Sequence, residues 1–183
     1  MSFVEKKLEE HAVYEGRVFT VYQAKVQLPD GREALRDRIA HSGGAGILAL
    51  SARDTVYLVR QYRFGVGKAL LEIPAGKLEP GEDPQQTALR ELAEEAGIFA
   101  GNVTPLGHME LSPAYLGEIT WLYLGRELVP RSAEKDADEF LDLVELPFQQ
   151  ALQQVLSGDD PYELFARAAR LREQGVRVEL GGE

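Results

Sequence analysis

Cysteine is absent from this 183-residue chain, which excludes disulfides, a thiolate zinc site and a cysteine nucleophile. Long apolar runs are missing too: none approaches the ~18 residues a membrane span needs. The first residues, Met1-Ser2-Phe3-Val4-Glu5-Lys6-Lys7, hold no apolar export core, so a cytoplasmic protein with no membrane partner is expected. Positive charge is scarce, with 20 Lys and Arg against 30 Asp and Glu and a net charge of −10. That balance argues against a nucleic-acid backbone as partner. His11, His41 and His108 lack ligand spacing, and Ser112 has no nucleophile-elbow context, so zinc chemistry and serine hydrolysis both fit poorly.

What is present reads as one globular domain with an appended segment. Residues 17–27 alternate, Pro29-Asp30-Gly31 turns, and 32–40 return as a hairpin. Gly43-Gly44-Ala45-Gly46 matches no phosphate-binding loop and reads as a turn before the apolar run 47–50. Further strands are predicted at 55–63, 69–73, 103–110, 118–126 and 138–145, and helices at 84–96, 147–156 and 161–172. Helices interspersed without regular βαβ alternation imply an α/β fold with a mixed sheet clasped between helices.

The richest stretch runs from Gly76 to Ile98. Four carboxylates and an arginine stand at fixed spacing: Gly76-x5-Glu82-x7-Arg90-Glu91-Leu92-x-Glu94-Glu95-x-Gly97-Ile98. Asp83 caps the predicted helix, Pro84 suits its first position and Gly97 stops it. On a helical projection Leu89, Leu92, Ala93 and Ala96 share one face, and Glu91, Glu94 and Glu95 the other. Like charges at i,i+4 repel, so a helix built only for stability would mix in basic residues. The plain alternative is a solvated acidic face. A hard divalent cation gives the cluster a purpose, because such ions prefer oxygen ligands and bridge carboxylates to phosphate oxygens. Arg90 neighbours the cluster and is suited to hold the glutamates or steady the loop.

This run resembles the Nudix box, the signature of Mg²⁺-dependent hydrolases that cut nucleoside diphosphates linked to another moiety, and every defining position matches. Four further features resemble the ADP-ribose pyrophosphatase branch: Pro113, sixteen residues after Gly97, in Leu111-Ser112-Pro113-Ala114-Tyr115; the strand Leu58-Val59-Arg60-Gln61-Tyr62-Arg63; the approach Leu71-Glu72-Ile73-Pro74-Ala75-Gly76-Lys77; and Asp138-Glu139-Phe140 opening a late strand. The resemblance spans residues 15–158. The sequence departs from that branch at Ala114, where relatives commonly have Gly, and at Gly117, where an acid often precedes Glu118.

The resemblance implies an α/β/α sandwich at 43–183 with C-terminal helices, and a β-rich dimerisation segment at 1–42 exchanged between the subunits of a homodimer. It implies Glu91 and Glu95 as the main metal ligands, assisted by Glu94 or the Ala75 carbonyl, with Glu82 as an outer ligand or an orienting group. Two or three Mg²⁺ ions, or Mn²⁺ in their place, are the implied cofactor. The implied reaction is hydrolysis of ADP-ribose or a related ADP-sugar, giving AMP and ribose 5-phosphate or the sugar phosphate. Glu94, Glu95, Glu139 and Arg90 form the implied catalytic set, Glu139 as base, with Glu118 and the other acids of 134–139 as competitors. Arg63 is a candidate phosphate clamp, since guanidinium donors match phosphate oxygens. Pro113, Tyr115 and Glu118 complete the candidate substrate-binding set. Tyr14, Phe19 and Tyr22 are candidates to stack the base or to form hairpin core, and Trp121 is most simply core. The alternatives are a Nudix hydrolase of another nucleoside diphosphate derivative (a GDP-sugar, NADH or a dinucleoside polyphosphate) or a non-catalytic ADP-ribose-binding module. The intact glutamates argue against the module.

Overall fold

The computed structural model describes residues 2–131 and 140–157. The predicted helix at 161–172 and the loop holding Glu139 lie outside them. The chain divides into two compact units, Met1–Gly43 with Glu110–Ile119, and the remainder.

The first unit is a three-stranded antiparallel sheet of β1 (Lys6–Glu15), β2 (Thr20–Gln27) and β3 (Glu33–Ala40), in that order. The hairpin β2–β3 matches the expected one. Strand β1 was not expected. It is an edge strand exposed almost throughout, with register breaks at Lys7/Glu9 and Ala12/Tyr14, so it carries no clean alternation to read. Ala24 and Val26 are buried although the sheet is thin. Opposite Ala24 stand Glu10 on one side and Arg36 on the other, and Arg36 pairs with Glu5 and Arg38 with Glu10. Residues 110–119 return here: the Ile39 N–H donates to the Tyr115 carbonyl at 2.7 Å, and the Gly117 N–H to the Ile39 carbonyl at 2.9 Å. Tyr14 and Phe19 meet at 6.0 Å between ring centres, yet both are exposed. They are not hairpin core. Tyr22 lies under Arg38, 4.6 Å from its ring centre.

The second unit is built on a mixed sheet ordered β10 (Leu141–Pro147), β5 (Thr55–Arg63), β4 (Gly44–Leu50), β9 (Ile119–Pro130) and β8 (Ile98–Glu110). Short β6 (Lys68–Glu72) pairs with β5, and β7 (Ala75–Lys77) with β4. The β4–β9 pairing is parallel; β10–β5, β4–β5, β5–β6 and β4–β7 are antiparallel. Strand β4 is buried on both faces. Its Ala45, Ile47 and Ala49 pack with Ala88, Leu92 and Ala96 of helix α1 (Pro84–Ala96). Its Leu48 and Leu50 pack with Phe148, Ala151 and Leu152 of helix α2 (Phe148–Ser157). That period-2 division makes an α/β/α sandwich with a mixed sheet, as the sequence implied.

Boundaries shift where local chemistry was hidden. Strand β8 starts at Ile98, directly after the helix cap, rather than near 103, and β10 starts at Leu141 rather than 138. Trp121 is half-buried and packs against the α1-side cluster and the His108 ring, 5.0 Å away.

Candidate active site around helix α1

Helix α1 begins as predicted. The Asp83 carboxylate accepts from the Gln85 and Gln86 N–H groups at 3.0 and 3.2 Å, and Pro84 follows without an N–H to satisfy. It ends at Gly97, whose φ of 67° is the left-handed conformation that lets its N–H reach back to the Ala93 carbonyl.

The acidic face needs correcting. A projection puts Glu91 and Glu95 opposite the apolar residues, facing water, but they are 8 % and 2 % exposed. Strand β7 covers them, and only Glu94 of the three keeps substantial access. Glu95 Oε2 accepts from the Ala75 N–H at 3.0 Å. Glu91 lies on the bare Cα of Gly76, where an added Cβ would stand 1.9 Å from Oε1. Glycine is required there by contact, because any side chain would push the carboxylate out. The box glycine and box glutamate are thus two halves of one packing event.

Buried carboxylates need compensating charge and hydrogen bonds, and Arg90 supplies much of both. Its Nε and Nη2 donate to the two Glu82 oxygens at 3.0 and 3.1 Å, and Nη1 donates to Glu91 Oε1 at 2.8 Å and Glu94 Oε2 at 2.9 Å. Nη2 also reaches the Lys77 carbonyl at 3.2 Å, tying the helix to the end of β7. The Glu79 N–H donates to Glu82 at 3.1 Å. Arg90 holds the Glu82 carboxyl down to about 2, and Glu82 in turn is the main cause of the upward shift of Arg90. Glu82 is therefore a firm anion whose oxygens are engaged with Arg90 and the loop.

Ala75, Glu82, Arg90, Glu91, Glu94 and Glu95 are brought together in this unit. Arg63 is also here, on β5, forking onto Glu72 through Nε at 3.0 and 2.9 Å and through Nη2. Glu72 is 8 % exposed and had no assigned role. Its signal is an acid inside the otherwise apolar run 69–73, and only the β5–β6 register reveals its partner. Pro113, Tyr115 and Glu118 belong to the other unit. Pro113 and Ala114 lie in a turn closed by the Tyr115 and Leu116 N–H groups on the Ser112 carbonyl, at 3.1 and 2.8 Å. Ala114 has no positive φ, so this turn works without the glycine of relatives. Glu118 faces His41, Oε1 to Nδ1 at 3.8 Å.

The donors on α1 are all oxygens, as a hard cation needs. Among the described residues no three acidic or histidine side chains converge into a ready cage, because Arg90 occupies the middle of the cluster. A Mg²⁺ ion takes only one or two carboxylates, keeping waters and phosphate oxygens for its other positions. Glu91 and Glu95, buried side by side one helical turn apart, fit that demand.

The profile of the NUDIX domain matches residues 40–167. The chain belongs to the Nudix hydrolase family. These enzymes generally use a divalent metal such as Mg²⁺, in keeping with the oxygen donors on α1. A second profile, the nucleoside diphosphate sugar hydrolase N-terminal domain, matches residues 5–39. A Bacillus subtilis protein named ADP-ribose pyrophosphatase is 36 % identical over 85 % of this chain and 85 % of its own length. A Bacillus methanolicus protein named methanol dehydrogenase activator is 39 % identical over 84 % of each. A crystal structure described as an ADP compounds hydrolase superposes with a TM-score of 0.80 at 25 % identity, covering 93 % of both chains.

Proposed function

We propose that this Nudix hydrolase cuts the pyrophosphate bond of ADP-ribose or a related ADP-sugar, releasing AMP and ribose 5-phosphate or the sugar phosphate. The observation that carries the reading is the intact box folded with Glu91 and Glu95 buried against Ala75 and Gly76. Relatives named for ADP-ribose and ADP compounds supply the substrate class. Glu91 and Glu95, with Glu94 or the Ala75 carbonyl, are the proposed ligands of two or three Mg²⁺ ions, Mn²⁺ being able to replace them. Bound there, the metal supplies charge neutralisation of the diphosphate and acidification of a water.

The chain's own residues do the rest. Arg90 keeps three carboxylates in register, and Glu82 fixes Arg90; we assign Glu82 this orienting role in preference to that of an outer ligand, because its oxygens already face Arg90 and the Glu79 N–H. Arg63 exchanges Glu72 for a substrate phosphate, an exchange between two anions of similar geometry. Glu139, outside the described residues, is the proposed base that takes a proton from the attacking water as the bond to the bridging oxygen breaks. For Pro113, Tyr115 and Glu118 the substrate-binding role implied by the resemblance is retained as part of the proposal. A homodimer joined through the first unit and a cytoplasmic location belong to the same proposal.

Incubation with Mg²⁺ and a panel of ADP-ribose, ADP-glucose, GDP-mannose, NADH and diadenosine polyphosphates tests it. Preferential release of AMP from ADP-ribose is expected. No turnover of any compound would refute the enzyme reading. A guanine preference would instead favour a GDP-sugar, for which the observation is an Escherichia coli relative named GDP-mannose pyrophosphatase, 29 % identical over 68 % of this chain.

A further inference from the structure

The second unit holds a cavity of about 420 Å³ at the end of the sheet away from the box. Strand β4 gives the separation. Its Ala45 faces Gly76 of β7, and Leu50, which lines the cavity, stands five residues further, about 17 Å along the strand. Strand β9, beside β4, supplies Arg126, Glu127 and Leu128 to the same cavity. Its backbone is irregular there. Trp121 and Tyr123 pack on the α1 side, so strict alternation would bring Glu127 to that side and turn Leu128 away. Leu128 instead packs with the α1-side cluster, because Glu127 takes a left-handed φ of 56° and breaks the alternation as a bulge does.

Among the described residues, Asp54 and Glu127 are the non-glycines with positive φ. Asp54 ends the turn from Ser51, another lining residue, and its N–H donates to the Ser51 carbonyl at 3.1 Å. Aspartate adopts such a φ readily. Glutamate does not, and strain of this kind collects at functional sites. The Glu127 side chain lies over Gly101 of β8, where an added Cβ would stand 3.2 Å from Oε2. The donors of the cavity are uncommitted: neither the Arg126 guanidinium nor the Asn102 amide has a hydrogen bond or ion pair with a described residue. Leu50, Tyr57 and Leu128 add an apolar wall.

We propose that this cavity is a second ligand site, which binds the phosphate monoester of a sugar. The fork of Arg126 matches phosphate oxygens, and the Asn102 amide is a neutral donor lining the same space. Glu127 only accepts hydrogen bonds, and sugar hydroxyls are the donors that meet it. The apolar wall takes the carbon face of the sugar or an attached base. The bulge gives the strain a use. In a regular strand the consecutive Arg126 and Glu127 would point to opposite faces, whereas here both line one cavity. The site stands apart from the box and does not depend on which nucleoside diphosphate is cut.

Calorimetric titration of the Mg²⁺-free protein with AMP, ribose 5-phosphate and inorganic phosphate tests the site, with Arg126→Gln and Glu127→Gly alongside. Saturable binding of AMP or ribose 5-phosphate is expected, the two probes separating a nucleotide from a bare sugar phosphate. Loss of the charge-assisted bonds in Arg126→Gln should raise Kd about 10- to 100-fold. Glu127→Gly should weaken the esters while raising the melting temperature, because glycine accepts the left-handed φ without strain. Absence of saturable binding to the wild type would overturn the proposal, as would unchanged affinity in either variant. Inorganic phosphate bound as tightly as the esters would overturn it too, since Glu127 would then meet no hydroxyl. None of these measurements uses turnover, so failure here leaves the pyrophosphatase reading standing.

Discussion

Gly76 and Glu91 show how a motif position acquires its meaning at the residue scale. Spacing alone marks both, but only the contact of the Glu91 carboxylate with the bare Gly76 Cα explains the glycine. Gly76→Ala is expected to displace Glu91 by an ångström or more and to lower kcat about 100-fold, with far-ultraviolet circular dichroism unchanged; wild-type kcat would show that the contact is dispensable. Charge gives a second prediction. The Glu82 carboxyl drops from an ordinary 4.5 to about 2 beside Arg90. A carboxylate depressed in the fold contributes stability above its unfolded value and loses it as pH falls through its folded one. Melting temperature should therefore decline between about pH 4.5 and pH 2, and Arg90→Gln should flatten that part of the profile. An identical slope in the variant would remove Arg90 as the cause. The acids of the box were legible in the sequence because their spacing is rigid. Their inward orientation was not, because a helical projection registers charge and cannot see strand β7 arriving over Glu91 and Glu95. The pairing of Arg63 with Glu72 was hidden for a similar reason, since it depends on hairpin register.

Helix α1 is the element on which sequence and structure agree most closely. Its Asp83 cap and Gly97 stop are local chemistry, decided within four residues of each end. Asp83→Ala should cost about 1 kcal/mol, and Gly97→Ala about 1–2 kcal/mol, because an L-residue resists the left-handed φ of 67°. Urea titrations check both; a neutral Gly97→Ala would mean that the terminus relaxes into another cap. Strand β4 was equally readable in kind, its apolar run fitting a strand buried on both faces. Strand β1 was not. Its polar, twice-bulged sequence has no period to detect, and it becomes a strand because β2 offers it a partner. The early start of β8 has the same origin: the chain turns at Gly97 and pairs at once, although residues 98–102 show no strong alternation.

At the scale of the whole molecule, the proposed homodimer bears on the exposed apolar side chains of the first unit. Phe3, Val13, Tyr14 and Leu35 are all exposed, and burial of such a surface is what dimerisation provides. Light scattering should give twice the 20.3 kDa chain mass; a monomer at assay concentration would contradict the dimer. In the second unit, the buried Glu91 and Glu95 on a capped helix are the proposed seat of the chemistry. The most direct test of that seat is the Mg²⁺-dependent rate of AMP release from ADP-ribose by wild type and by Glu95→Gln. The account predicts turnover in the wild type and a fall in kcat of several orders of magnitude in the variant, with its cooperative melting retained. A folded Glu95→Gln enzyme that releases AMP at the wild-type rate would contradict it.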